Sequence, residues 1–94
     1  MCVKQRFNLI LFIQRSGLKM SKFAERVFVS PSTLSQIVHG GQEGTFLFWS
    51  VLADQFNLNL QQLVKLYELD YSCEEIIADY ERVFKNYHYP EVET

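Results

Sequence analysis

Apolar residues recur along this chain three and four positions apart, and polar or turn-forming residues divide them into six helical segments. The first helix is predicted over 4–15, with Phe7, Ile10, Leu11 and Ile13 on its apolar side. Ser16-Gly17 stops it, since glycine suits the left-handed residue after a helix. A second helix covers 20–27. Ser30 caps a third, and Pro31 occupies its first position, where a missing N–H costs nothing. Gly40-Gly41 ends the third helix, and a loop runs to Gly44. Thr45 caps a fourth helix carrying Phe46, Trp49, Leu52, Ala53 and Phe56. Asn59 with Gln62 forms a capping-box pattern for a fifth, whose apolar residues are Leu60, Leu63, Val64 and Tyr67. Ser72 with Glu75 repeats that pattern before a sixth. No strand pattern, internal repeat or low-complexity run competes. The expected fold class is all-α.

The segment 17–40, GLKMSKFAERVFVSPSTLSQIVHG, is the most distinctive. Leu18, Phe23, Ala24, Val27, Val29, Leu34 and Ile37 let two short helices share one core across a tight turn. Pro31, Ser32, Thr33, Ser35 and Gln36 then start the later helix or face away from that core. A short, polar, weakly charged helix on a compact scaffold suits the DNA major groove.

This segment resembles the helix-turn-helix of the Cro/C1-type (XRE-like) repressor family. The resemblance is carried by Phe23-Ala24 in the first helix of the motif, Val29-Ser30 in its turn, Ser30 to Ile37 in the second helix, and Gly40 at its close. Leu52-Ala53 and the run Phe56 to Leu63 extend it, so that it covers roughly 6–66. It implies a lambda-repressor-like five-helix domain over 1–69, followed by an extra amphipathic helix and frayed tail over 70–94. It also implies that Pro31, Ser32 and Gln36 face bases. The Gln36 amide suits adenine N6 and N7 together, Ser32 discriminates less, and Pro31 offers apolar contact to a thymine methyl. Expected phosphate contacts are Lys19 and Lys22, with the start of the second helix, then Thr33, Ser35, His39 and Gln42. Plainer readings stand beside these. Gln36 can be a solvated side chain, and Lys19, Lys22 and Arg26 an ordinary charged face. Arg6 and Arg15 can be solvated or paired with acids, His39 can simply complement the helix dipole, and Trp49 reads as core.

Two departures from the family pattern bear on the motif. Phe28 stands where the family usually has glycine, and a positive φ is unfavourable for phenylalanine. Lys19 stands where a Ser or Thr cap is common.

Charge divides the chain. Residues 1–69 hold seven Lys/Arg against four Asp/Glu, net +3, while residues 70–94 hold two against seven, net −5. The front suits phosphate and the acidic end is repelled by it. The sixth helix carries a stripe of Cys73, Ile76, Ile77, Tyr80, Val83, Phe84 and Tyr87, with Glu81 and Lys85 paired on its other face. Ile76, Ile77, Tyr80, Val83, Phe84 and Tyr87 are the expected homodimer interface. Folding back on its own domain and binding a different protein are the other readings of the same stripe. Because the third helix lacks Lys and Arg, a monomer is expected to bind DNA weakly, and two copies on a two-fold operator to bind better.

Nothing points to an enzyme: no glycine-rich phosphate loop, no HExxH and no CxxC occur, and His39 and His88 are isolated. No catalytic residue, metal site or cofactor is expected. No apolar run approaches a membrane span, and the start does not read as a signal peptide. Two lone thiols, Cys2 and Cys73, fit a reducing cytoplasm. The sequence therefore predicts a cytoplasmic regulator, most simply a repressor, binding double-stranded DNA. Its rivals are a helix-turn-helix that binds protein, as an antirepressor or inhibitor does, and an antitoxin whose acidic sixth helix engages a partner.

Overall fold

A computed structural model describes residues 4–70 and 76–89. Six helices follow in order: α1 (Phe7–Ser16), α2 (Met20–Arg26), α3 (Pro31–Val38), α4 (Phe46–Phe56), α5 (Leu60–Tyr67) and α6 (Ile76–Val83). The described residues form no β-sheet, only an isolated antiparallel bridge between Gln5 and Asp70. The fold is small and helical. No helix among them is long and apolar enough to cross a membrane. The Ser72–Glu75 box, Cys2, Cys73 and the tail 90–94 lie outside the described residues.

The local stops behave as their residues dictate. Gly17 takes φ 76° at the end of α1, and the Ser30, Thr45 and Asn59 side chains each accept a backbone N–H three residues on. Gln62 returns the bond to the Asn59 N–H, completing the capping box.

α1 differs from expectation in start and face. Residues 4–6 lie before the helix, with the Arg6 N–H on the Val38 carbonyl and Gln5 exchanging both backbone bonds with Asp70. The buried face is Leu9, Phe12, Ile13 and Ser16, not Phe7, Ile10 and Leu11. The run FNLILFI is apolar nearly all round, so its periodicity does not select one face. Asn8 is also buried, and neither its Oδ1 nor its Nδ2 has a partner among the described residues.

Phe12 is the hub of the core. Its ring meets Phe23, Phe56, Phe84, Tyr87 and Tyr89 at centroid distances of 5.4–6.0 Å, joining α1, α2, α4 and the C-terminal segment. Phe23 and Phe56 stack at 4.8 Å, and Tyr80 and Phe84 at 4.4 Å. The Tyr87 hydroxyl donates to the Phe56 carbonyl, while the Tyr80 and Tyr89 hydroxyls lie 2.6 Å apart. Burial pushes the Tyr87 phenol up to about 12 and raises Tyr80 further.

This packing corrects the expected dimer stripe. Tyr80 is fully buried, Phe84 and Ile76 nearly so, and Val83 and Tyr87 pack against the same core. α6 lies on α1 and α5 of its own chain. An aromatic-rich stripe gains more from the Phe12 cluster beside it than from waiting for a second chain. Of the expected interface, only Ile77 counts as exposed. Polar clasps hold the outer edge of α6. Arg15 meets Glu81 at 3.0 Å, and Asp79 bridges Lys65 and Arg82. Lys65 first, then Arg82, hold the Asp79 carboxyl below its ordinary range.

The expected apolar residues of α5 also divide differently. Leu66 is buried and Leu63 half-buried, whereas Leu60, Val64 and Tyr67 are exposed. Phe46, at the first position of α4, is exposed as well.

Candidate nucleic-acid interface

α2 and α3 pack on each other across the turn 27–30, and α3 rests on α1. Leu34, Ile37 and Val38 face inward, which leaves Pro31, Ser32 and Gln36 on the outer side, all exposed. The three expected base-facing residues therefore share one accessible surface. Thr33 is half-buried and its hydroxyl accepts from Ser30 Oγ at 2.9 Å, while the same Ser30 oxygen accepts the Thr33 N–H at 3.1 Å.

The turn adopts the conformation that glycine would favour. Phe28 sits at φ 58° with 76% of its surface exposed. A left-handed backbone costs an L-residue roughly 1–2 kcal/mol. The turn thus keeps its shape in spite of its sequence, and the ring projects into solvent.

Gln36 and Gln42 are joined. The Gln42 side-chain amide donates to the side-chain oxygen of Gln36, Oε1. That oxygen has a second lone pair, and Gln36 Nε2 has no partner among the described residues, so the exposed amide keeps both an acceptor and a donor site. Gln42, expected at phosphate, here donates its side-chain amide to Gln36.

A residue expected to be solvated or acid-paired anchors this arrangement. Arg6 is 1% exposed and forms no ion pair with a carboxylate among the described residues. Its Nη1 donates to the carbonyls of Ile37 at 2.7 Å and Gln42 at 2.9 Å, and its Nε to that of Tyr67 at 2.9 Å. Those oxygens lie at the C-terminal ends of α3 and α5 and in the loop after α3, where carbonyls lack intrahelical partners and the helix dipole is negative. The guanidinium also lies 5.5 Å from the Trp49 ring centroid and 5.0 Å from that of Tyr67. Burial pulls its pKa below the ordinary value, against an upward pull from Tyr67 and Glu43. One arginine therefore ties the end of the exposed helix, the Gln42 loop and α5 together. Helical periodicity could not reveal it, because Arg6 precedes α1. The available signal was a lone arginine beside an apolar run with no acid nearby in sequence.

Two glycines let the loop close. Gly40, at φ +84°, passes so near residue 4 that a Cβ would lie 2.7 Å from the Lys4 carbonyl oxygen. Gly44, at φ +81°, leaves room for Trp49, whose indole N–H donates to the Glu43 carbonyl at 2.8 Å.

The expected phosphate contacts fare unevenly. Lys19 is exposed at the N-cap of α2 without a side-chain cap bond. Lys22 is exposed and pairs with Glu25 at 3.2 Å, a pair that solvent screens. His39 turns back on its own helix, with Nδ1 2.8 Å from the Ser35 carbonyl and 3.3 Å from Ser35 Oγ. Ser35 and His39 therefore partner each other. A groove of about 400 Å³ separates α3 from the start of α4, and Glu43 is its one charged lining residue. Among the described residues, no cluster of His, Cys, Asp and Glu could hold a metal ion.

Comparison with protein-family models, curated proteins and solved structures finds no match to this chain.

Proposed function

We propose that the chain is a sequence-specific DNA-binding regulator with a lambda-repressor-like helix-turn-helix, which lays the exposed face of α3 in the major groove. It acts as a homodimer on a two-fold symmetric operator and blocks or recruits other factors there. The observation that carries this reading is the Gln36–Gln42 amide pair. A glutamine on the outer face of a short polar helix is held in place by a neighbour, and the loop behind both is fixed by buried Arg6. Ordering a long polar side chain before contact lowers the entropy lost on binding, which is useful where the amide must meet one base edge. Pro31 and Ser32 flank it, Lys19 and Lys22 supply positive charge nearby in sequence, and the reading assigns no catalytic role.

Binding selection from a randomised duplex pool tests it. The protein is expected to enrich one palindromic sequence, with an affinity that falls steeply as salt rises. Gln36→Ala is expected to lose about 1–3 kcal/mol and to relax specificity at one base pair. Equal enrichment and affinity in the variant would remove Gln36 from the reading.

A second reading, a helix-turn-helix that binds protein as an antirepressor, inhibitor or antitoxin does, draws on exposed Phe28, Phe46 and Leu47 and on the absence of Arg and Lys from α3. Failure to enrich any DNA sequence would favour it.

A further inference from the structure

We infer that the groove between α3 and the start of α4 is a binding site for a small organic ammonium ion whose aromatic or aliphatic body lies a few carbons from the charge. The inference goes beyond the DNA reading and does not depend on it. The groove holds about 400 Å³. Sites for small molecules run from about 300 to 1,000 Å³, whereas two turns of a docking helix, about 10 Å across and 11 Å long, fill roughly twice the volume found here. Size therefore favours a free small molecule over a peptide helix. The apolar lining comes from three elements: Val29 from the turn before α3, Ile37 from α3 and Phe48 from α4. That part of the groove suits a ring or a short alkyl chain.

The polar lining selects the charge of the occupant. It contains no Lys, Arg or His, and its one charged residue is Glu43. Glu43 is exposed and, unlike Glu25, Glu68, Asp79 and Glu81, forms no ion pair among the described residues. Arg6 feels the field of Glu43, but its hydrogen bonds go to the carbonyls of Ile37, Gln42 and Tyr67. The backbone beneath this carboxylate is fixed. The Glu43 carbonyl accepts the Trp49 indole N–H at 2.8 Å, and Gly44 follows at φ +81°, where a Cβ would lie 2.9 Å from Trp49 Nε1. Gln42, also in the lining, donates to Gln36 and keeps its own Oε1 as an acceptor. A primary ammonium brings three donors and no acceptor, so it can serve both Glu43 and Gln42. An anion meets a carboxylate with no cation to offset it, and a neutral apolar molecule leaves Glu43 unused. An exposed ion pair contributes little by itself, so the apolar body must supply the rest against Val29, Ile37 and Phe48. Both halves of the ligand are needed.

Titration of the full chain, without DNA, followed by amide chemical shifts tests the site. The probe is phenethylammonium. Its matched controls are 2-phenylethanol, which lacks the charge, 3-phenylpropanoate, which reverses it, and ethylammonium, which lacks the ring. Phenethylammonium is expected to move the amide signals of Val29, Thr33, Gly44 and Thr45 and the indole N–H of Trp49, the chain's single tryptophan, while those of α6 stay in place. It is expected to bind at least tenfold more tightly than each control. Glu43→Gln, at an exposed position, is expected to bring its affinity within two-fold of that of 2-phenylethanol with unchanged melting. No saturable movement of the groove signals, equal binding of the charged and neutral probes, or a preference that survives Glu43→Gln overturns the inference. Each of these results is read without DNA, so the site and the DNA reading fail separately.

Discussion

α3 and α6 are each eight residues long, and both bury an apolar side in the core, but what fixes each one beyond that differs. The end of α3 is fixed by directional bonds. Arg6 takes the carbonyls of Ile37 and Gln42, the Arg6 N–H takes that of Val38, and the preceding loop is set by the Ser30 cap. α6 is fixed by rings: Tyr80 and Phe84 stack on each other and reach the aromatic group around Phe12. Hydrogen bonds specify position and angle, whereas ring packing supplies free energy with less control of angle. A helix that must meet a partner in register needs the first kind of restraint. A helix that completes a core needs the second.

The largest expected effect breaks the α6 side. Phe84→Ala should cost about 3–5 kcal/mol of stability, as removal of a buried phenylalanine usually does. It should leave DNA affinity per folded molecule unchanged, which calorimetry and binding titration of the folded fraction would check. Next comes the α3 side. Arg6→Met keeps the apolar stem but takes the donor from the Gln42 and Tyr67 carbonyls and leaves that of Ile37 with the Gly40 N–H alone, and should cost roughly 2–4 kcal/mol. Unlike Phe84→Ala, it should also speed amide exchange at Val38, His39 and Gly40 and blur base preference. If both variants lowered stability but neither touched specificity, the division between the two helices would be wrong. The smallest effect concerns the turn. Phe28→Gly relieves a left-handed phenylalanine and should raise stability by about 0.5–1 kcal/mol, less than the full strain because glycine loses more entropy on folding. A rise in melting temperature with lost binding would mark the ring as a contact, and a rise with intact binding would mark it as a tolerated defect.

How much of this was legible follows from which residues speak locally. Ser30, Thr45 and the Asn59–Gln62 box announce helix starts through their own short-range bonds, and they appear where expected. The outward placement of Pro31, Ser32 and Gln36 was equally readable, because Leu34 and Ile37 fix which side of α3 turns inward. Faces chosen by distant partners were not. In α1 an almost uniformly apolar run left the choice to Phe12. In α6 the stripe was visible, but its partner was not, since a stripe built for a core and one built for a dimer look the same in sequence. Arg6 and Gln42 escaped because the Arg6 bonds span 31 to 61 residues and the Gln42 bond joins a loop back to α3.

The long reach of Arg6 has a consequence for the protein as it is made. Its side chain binds Tyr67, 61 positions later in the chain. A ribosome adding roughly 5–20 residues each second therefore takes several seconds between placing this arginine and supplying its last acceptor. Until then Arg6 can reach the end of α3 and the Gln42 loop but not α5. A partial translation product ending before residue 67 retains Arg6 with its Ile37 and Gln42 acceptors but lacks the tie to α5, so the clamp closes only once the fifth helix is complete.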